Sequence, residues 1–154
     1  MTPAPLPTES REYPTRPFAA VGVVVFRDET VLLIRRGNPP RRGEWSLPGG
    51  TQNTGETVRE TAVREVLEET GVHIGEPRFL EVIDAIIRDE SERVRYHYTL
   101  IDFQAEWVSG EPSAADDAQH AEFVPLDKLD DLGLWTKTVE VIREARAARY
   151  PPGI

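Results

Sequence analysis

Three glutamates, Glu65, Glu68 and Glu69, recur at spacings of three and four in the segment TVRETAVREVLEETG. On an α-helix, residues at those spacings are neighbours, so like charges crowd at a cost of about 0.2–0.5 kcal/mol per pair. Glu68 and Glu69 also fall in the last turn, where the helix dipole disfavours negative charge. Arg64, four residues before Glu68, offsets only part of this. A solvated acidic face is the ordinary explanation for such a pattern, yet it leaves the adverse helix end unaccounted for. Carboxylates converging on one point make a hard-oxygen site, the preference of Mg2+, Mn2+ or Ca2+. On magnesium such a site keeps positions open for water and phosphate oxygens. EF-hand loop spacing is absent, and no His pair at helical spacing accompanies a carboxylate, which argues against zinc.

The segment before the helix adds to this. Gly49 and Gly50 follow an extended piece, and Gly55 stands just ahead of the helix. Gly50-x4-Gly55 begins like a phosphate-binding P-loop, but Glu56-Thr57 occupy the places where that loop needs Lys and then Ser or Thr. A glutamate there repels phosphate and suits metal coordination. The glycines let the backbone and Glu56 approach the carboxylate cluster closely.

The elements that must position these residues follow from periodicity. Phe18 to Phe26 is β-branched and aromatic and reads as a buried strand, forming a hairpin with Val31 to Arg36. Gly37 to Gly43 is a loop and Glu44 to Leu47 a short extended piece. Thr57 to Thr70 is a helix with Thr57-x-x-Glu60 as capping box and Gly71 as its stop. Ala62, Val63, Val66 and Leu67 cover the arc expected to face the core. Strands near Arg78 to Ile87 and from Arg93 to Trp107 follow. Val108 to Ala121 reads as a long loop, and Glu122 to Leu126 as a short strand. Thr136 to Arg149 is an amphipathic helix burying Val141, Ile142, Ala145 and Ala148, with Pro151-Pro152 as its stop. The order implies a mixed sheet with helices packed on it. Residues 1–16, with prolines at 3, 5, 7 and 14, read as a flexible Pro-rich arm, and 17–154 as a single domain.

Composition narrows the classes. The 154 residues are 39% apolar, enough for a core without staples. The absence of cysteine excludes disulfides, thiolate nucleophiles and Cys-ligated metal. A net charge of −9 argues against binding nucleic acid or an anionic membrane surface. It leaves room for a small polyanionic ligand held through metal cations. No signal-type or membrane-spanning apolar run is present, so a cytoplasmic protein is expected.

Taken together, the residues read Gly50, five residues, Glu56, seven residues, Arg64-Glu65-Val66, one residue, Glu68-Glu69, one residue, Gly71-Val72. This resembles the Nudix box, with all nine specified positions matching, and the likeness covers roughly residues 17 to 147. The resemblance implies an α/β/α sandwich, a mixed central β-sheet with flanking helices. It implies hydrolysis of a nucleoside diphosphate linked to another moiety, with Mg2+ or Mn2+. By position, Glu65, Glu68 and Glu69 match metal ligands, and Glu56 matches a residue that supports the site or joins the metal shell. Arg64 matches a residue that orients a helix carboxylate through a salt bridge.

Outside the box the signals are weaker. Asp116, Asp117 and Glu122 are candidates for a general base, alongside the box glutamates Glu68 and Glu69. Arg35, Arg36, Arg41 and Arg42 could touch phosphates, with Gly49 and Gly50 beside them. Phe18, Trp45, Tyr96, Tyr98 and Trp107 could stack on a base, though strand aromatics more often serve the core. His73, His97 and His120 share no ligand spacing. The segments RPFAAVGVVVF, VLLIRRGNPPRRGEWSLPGG and VRYHYTLIDF resemble a bacterial ADP-ribose pyrophosphatase-like subgroup. The expected substrate is therefore a small nucleotide, ADP-ribose first, with nucleoside triphosphates, including oxidised ones, as the alternative. A non-catalytic nucleotide-binding regulator is the other class. A homodimer, with the arm crossing to a partner, would also fit.

Overall fold

A computed structural model describes residues 10–149. The elements run β1 (Phe18–Arg27), β2 (Thr30–Arg36), β3 (Trp45–Ser46), β4 (Gly49–Thr51), α1 (Val58–Thr70), β5 (His73–Ile74), β6 (Arg78–Arg88), β7 (Val94–Ser109) and β8 (Ala118–Pro125). A 3-10 segment (Leu126–Asp131) and α2 (Thr136–Arg149) follow. β1 and β7 pair in parallel from Phe18↔Tyr98 to Phe26↔Glu106, and the remaining pairings are antiparallel, so the sheet is mixed.

Strand alternation assigns β1 to two cores. Val21, Val23 and Val25 face α1 with Ala62, Val66 and Phe103. Val24 and Phe26 face α2 with Leu33, Val141 and Ile142. The sheet thus lies between the two helices as an α/β/α sandwich.

Several boundaries differ from the sequence expectation. β7 continues to Ser109 and β8 begins at Ala118, so the expected loop from Val108 to Ala121 shrinks to residues 110–117. The first half of β8, AlaGlnHisAla, pairs with β2 despite its polar character. Gly49–Thr51 is itself a strand, paired with Ala20–Gly22 of β1. α1 is rotated from its expected arc: Val63 and Leu67 are 39% and 38% exposed, while Ala62, Val66, Glu69 and Thr70 are buried. Ala148 of α2 is exposed, whereas Val141, Ile142 and Ala145 are buried. Of the expected N-terminal arm, residues 10–16 are tied down. The Tyr13 N–H donates to the Arg95 carbonyl (2.7 Å), its hydroxyl donates to Asp89 (2.8 Å), and Arg11 donates to Thr51 Oγ1 (2.9 Å). Residues 1–9 and the Pro151-Pro152 stop lie outside the described residues.

Candidate active site

The α1 ends are built from its own sequence. Thr57 Oγ1 accepts from the Glu60 N–H (3.1 Å) and Glu60 accepts from the Thr57 N–H (3.2 Å), closing the capping box. Gly71 ends the helix in the left-handed region (φ 75°). The carbonyls at the C-terminal end are met from outside the helix. In the loop 110–117, the Ser113 N–H donates to the Thr70 carbonyl (2.9 Å) and the Ala115 N–H to the Glu69 carbonyl (3.1 Å). These bonds satisfy carbonyls that a helix end otherwise leaves open.

Arg64 organises the acids. Nε donates to Glu56 at 2.6 Å, Nη2 donates to the same carboxylate at 2.9 Å and to the Thr51 carbonyl at 3.1 Å, and Nη1 reaches Glu65 at 2.7 Å and Glu68 at 3.0 Å. Each N–H of the guanidinium thus has an acceptor. The Glu56 carboxyl is held down to about 2 by Arg64 and then by the Thr61 hydroxyl.

Glu69 has the opposite environment. It is 4% exposed, and burial, reinforced by Glu65, pushes its carboxyl up to about 9. The Gly49 N–H donates to it, but Oε2 has no hydrogen-bond partner. A buried carboxyl oxygen without a partner is costly unless a ligand completes it. Burial also raises the Glu65 carboxyl. β4 packs directly on these acids: a Cβ at residue 50 would stand 2.5 Å from the Glu65 carboxylate, and one at residue 49 would collide with the Val21 carbonyl. Space rather than φ excludes a side chain at residue 49, and at residue 50 admits one only if the Glu65 carboxylate moves.

The donor set Glu65, Glu68, Glu69 and Glu56 is all oxygen and anionic, as a hard divalent cation wants. Among the described residues no three His, Cys, Asp or Glu side chains form a ready coordination cluster. Arg64 engages Glu56, Glu65 and Glu68 instead, and the orphaned Glu69 Oε2 marks where a cation would complete the site.

A cleft of about 490 Å³ opens beside Glu65 and Glu69. Its lining includes Gly49, Gly50, Arg36, Arg41 and Asp117, the strand residues Ala20, Gly22, Ile83, Leu100 and Asp102, and the rings of Trp45, Tyr98 and Trp135. Other candidates lie elsewhere. Asp116 does not line the cleft, whereas Asp117 does and accepts from Asn38 Nδ2 (2.7 Å). Arg35 lies over the Trp45 ring, outside the cleft lining. Tyr96 is buried, and Trp107 Nε1 donates to the Gly110 carbonyl. His120 pairs with Glu122 (3.1 Å).

Sequence reading overlooked Trp135, Gly22 and Asp102. The first sits in a loop with no periodicity to flag it. Asp102 carried a weak signal, an acid directly between Leu100-Ile101 and Phe103 on a strand.

The description of the NUDIX domain matches residues 16–145 of this chain. The chain belongs to the Nudix family. Among Nudix relatives, an ADP-ribose pyrophosphatase of Methanocaldococcus jannaschii is 40% identical over 116 residues, covering 75% of this chain and 66% of the relative. The chain thus matches just under two thirds of that protein's length. The crystal structure of a MutT Nudix hydrolase from Burkholderia pseudomallei superposes with a TM-score of 0.72 at 29% identity, covering 84% of this chain and 98% of that one. The Nudix domain of Shewanella oneidensis NrtR, solved with ADP-ribose, superposes with a TM-score of 0.74 at 22% identity, covering 88% and 90%. The last likeness is one of Nudix fold. No helix among the described residues is long and apolar enough to cross a membrane.

Proposed function

We propose that the protein is a Mg2+- or Mn2+-dependent hydrolase cutting the diphosphate of a nucleoside diphosphate derivative, ADP-ribose to AMP and ribose 5-phosphate. The observation that carries this is the placement of the partnerless Glu69 Oε2 beside Glu65 on the wall of a cleft whose lining also includes apolar and aromatic side chains. Such a cleft takes phosphate at one end and a nucleoside at the other. The name of the archaeal relative supports the choice of ADP-ribose.

Glu65, Glu68 and Glu69 would hold the cation, with Glu56 supporting them. A cation held there would supply charge to neutralise the diphosphate and would make water more acidic. Arg64 fixes the directions of Glu65 and Glu68. Arg36, on the cleft wall, supplies positive charge to a phosphate. Asp117, an acid outside the helix on the cleft lining, would take a proton from an attacking water, and the bond it accepts from Asn38 orients it. The layout is one of positioning and electrostatics rather than covalent chemistry.

The test is kcat/KM with Mg2+ on ADP-ribose and on dGTP or its oxidised form. A preference of about tenfold or more for the triphosphate overturns the substrate while leaving the hydrolase class.

A further inference from the structure

Asp102 on β7 is 4% exposed and is set among the apolar residues of the cleft, with Ala20 and Gly22 of β1, Leu100 beside it on β7, and Ile83 of β6. A carboxyl in such surroundings needs hydrogen bonds. One comes from the Gly22 N–H. No other described residue donates to Asp102. Gly22 also leaves it uncovered: a Cβ at residue 22 would stand 2.5 Å from Asp102 Oδ1. Any larger residue there would displace the carboxyl or cap it against the cleft.

We propose that Asp102 reads the base of the bound nucleotide, selecting an edge that presents a hydrogen-bond acceptor beside a donor, as the amino edge of adenine does. This rests on the nucleotide reading above and goes beyond it by naming the base and the residue that recognises it.

The charges around Asp102 fix the form in which it acts. β1 contributes Gly22 and no charge, β6 contributes Glu81, and α2 contributes Glu144, which shares a hydrogen bond with Glu81. Burial first, and then Glu81, push the Asp102 carboxyl up to about 7. The neutral acid offers one O–H and one carbonyl oxygen. The O–H donates to the ring nitrogen of adenine, and the carbonyl accepts from its amino group. The ionised form only accepts, and it suits guanine where the N1–H and the 2-amino group present two adjacent donors. A mismatched edge leaves a buried polar group unpaired, the most effective means of rejecting a near-isostere.

Trp45 and Trp135 line the same cleft, so their fluorescence reports binding without turnover. ADP-ribose and GDP-ribose are titrated into the protein in excess EDTA at about pH 6 and about pH 8.5, an interval in which their diphosphates do not titrate but a carboxyl near 7 does. In the wild type, ADP-ribose should bind about tenfold or more tightly at the lower pH, with the opposite trend for GDP-ribose. Asp102→Asn carries a donor and an acceptor at either pH. It should keep ADP-ribose affinity within about threefold of the wild-type value at the lower pH, with no pH trend. Asp102→Leu should lose about tenfold or more at the lower pH. An identical pH trend in wild type and Asp102→Asn overturns the proposal, as does undiminished binding to Asp102→Leu or no wild-type binding at either pH. If the predicted pattern appears but ADP-ribose is not hydrolysed with Mg2+, the hydrolase reading alone falls. Hydrolysis without the pattern removes the base-reading role alone.

Discussion

Glu56 offers both carboxylate oxygens to Arg64, at 2.6 and 2.9 Å, across seven intervening residues. The pair ties the loop ahead of α1 to the middle of the helix, and the remaining N–H groups of Arg64 set Glu65 and Glu68. Lysine cannot reproduce a planar fork. Arg64→Lys should keep the fold and lower kcat about tenfold to a hundredfold with little change in KM, read from steady-state kinetics. Arg64→Ala should in addition destabilise by about 1–3 kcal/mol in urea unfolding, because Glu56 and Glu65 lose their donor in a half-buried place.

Glu69 is held neutral by burial when no cation is present, so glutamine is close to its isostere. Glu69→Gln should leave the metal-free melting temperature unchanged or slightly raised while turnover falls by about a hundredfold or more. A large loss of metal-free stability would give Glu69 a structural task instead.

Gly50→Ala introduces a methyl 2.5 Å from the Glu65 carboxylate. The strand can absorb an alanine, but the glutamate must swing away from the cleft. Turnover should drop by about a hundredfold, and Mg2+ should no longer raise the melting temperature, while the far-ultraviolet circular dichroism stays as in the wild type.

In excess chelator, ADP-ribose hydrolysis should cease while the protein stays folded, since neither core is built from the clustered glutamates. Mg2+ at about a hundred times its dissociation constant should add about 2.7 kcal/mol of stability. For a domain of this size that is about 5–10 °C by calorimetry. Full turnover in chelator would dispose of the metal-dependent mechanism.

Asp102 makes a prediction about stability as well. Its folded value, about 7, lies above the ordinary 3.8. Its contribution is therefore complete below the unfolded value and is lost as pH rises through the folded one. Asp102→Asn does not titrate, so the variant should gain on the wild type by about 1 kcal/mol or more between pH 5 and pH 8, read from paired urea curves.

The sequence made α1 legible because its caps and glycine stop are local chemistry. Thr57, Glu60 and Gly71 need only their own neighbours to act. The face it buries was not legible. Apolar counting placed Val63 and Leu67 inside, whereas the helix turns Glu69 and Thr70 inward. Thr70 Oγ1 is met by the Val66 carbonyl and the Glu69 carboxyl by the Gly49 N–H with Oε2 left over, relations that hydrophobicity cannot reveal. The acid cluster could be seen from spacing alone, but its division into an Arg64-bound group and a buried Glu69 could not. β4 was hidden for a related reason, since Gly49 and Gly50 have no side chains to show a period of two. Gly22 and Asp102 sit side by side in a parallel pairing of strands far apart in sequence, a relation that no local pattern records.

The loop 110–117 holds the last carbonyls of α1 through the Ser113 and Ala115 N–H groups, and its Gly110 sits so close to the Gly71 carbonyl that no side chain fits between them. Surface loops ordinarily accept insertions and drift freely between homologues. This one is stitched to the end of the acid-bearing helix, so a lengthened version would unfasten Glu69 itself. New substrate preferences among descendants of this chain should therefore arise by remodelling the adjoining rim at residues 39–44, beyond the Gly37 and Asn38 bonds to Asp117, while the stitched loop keeps its length.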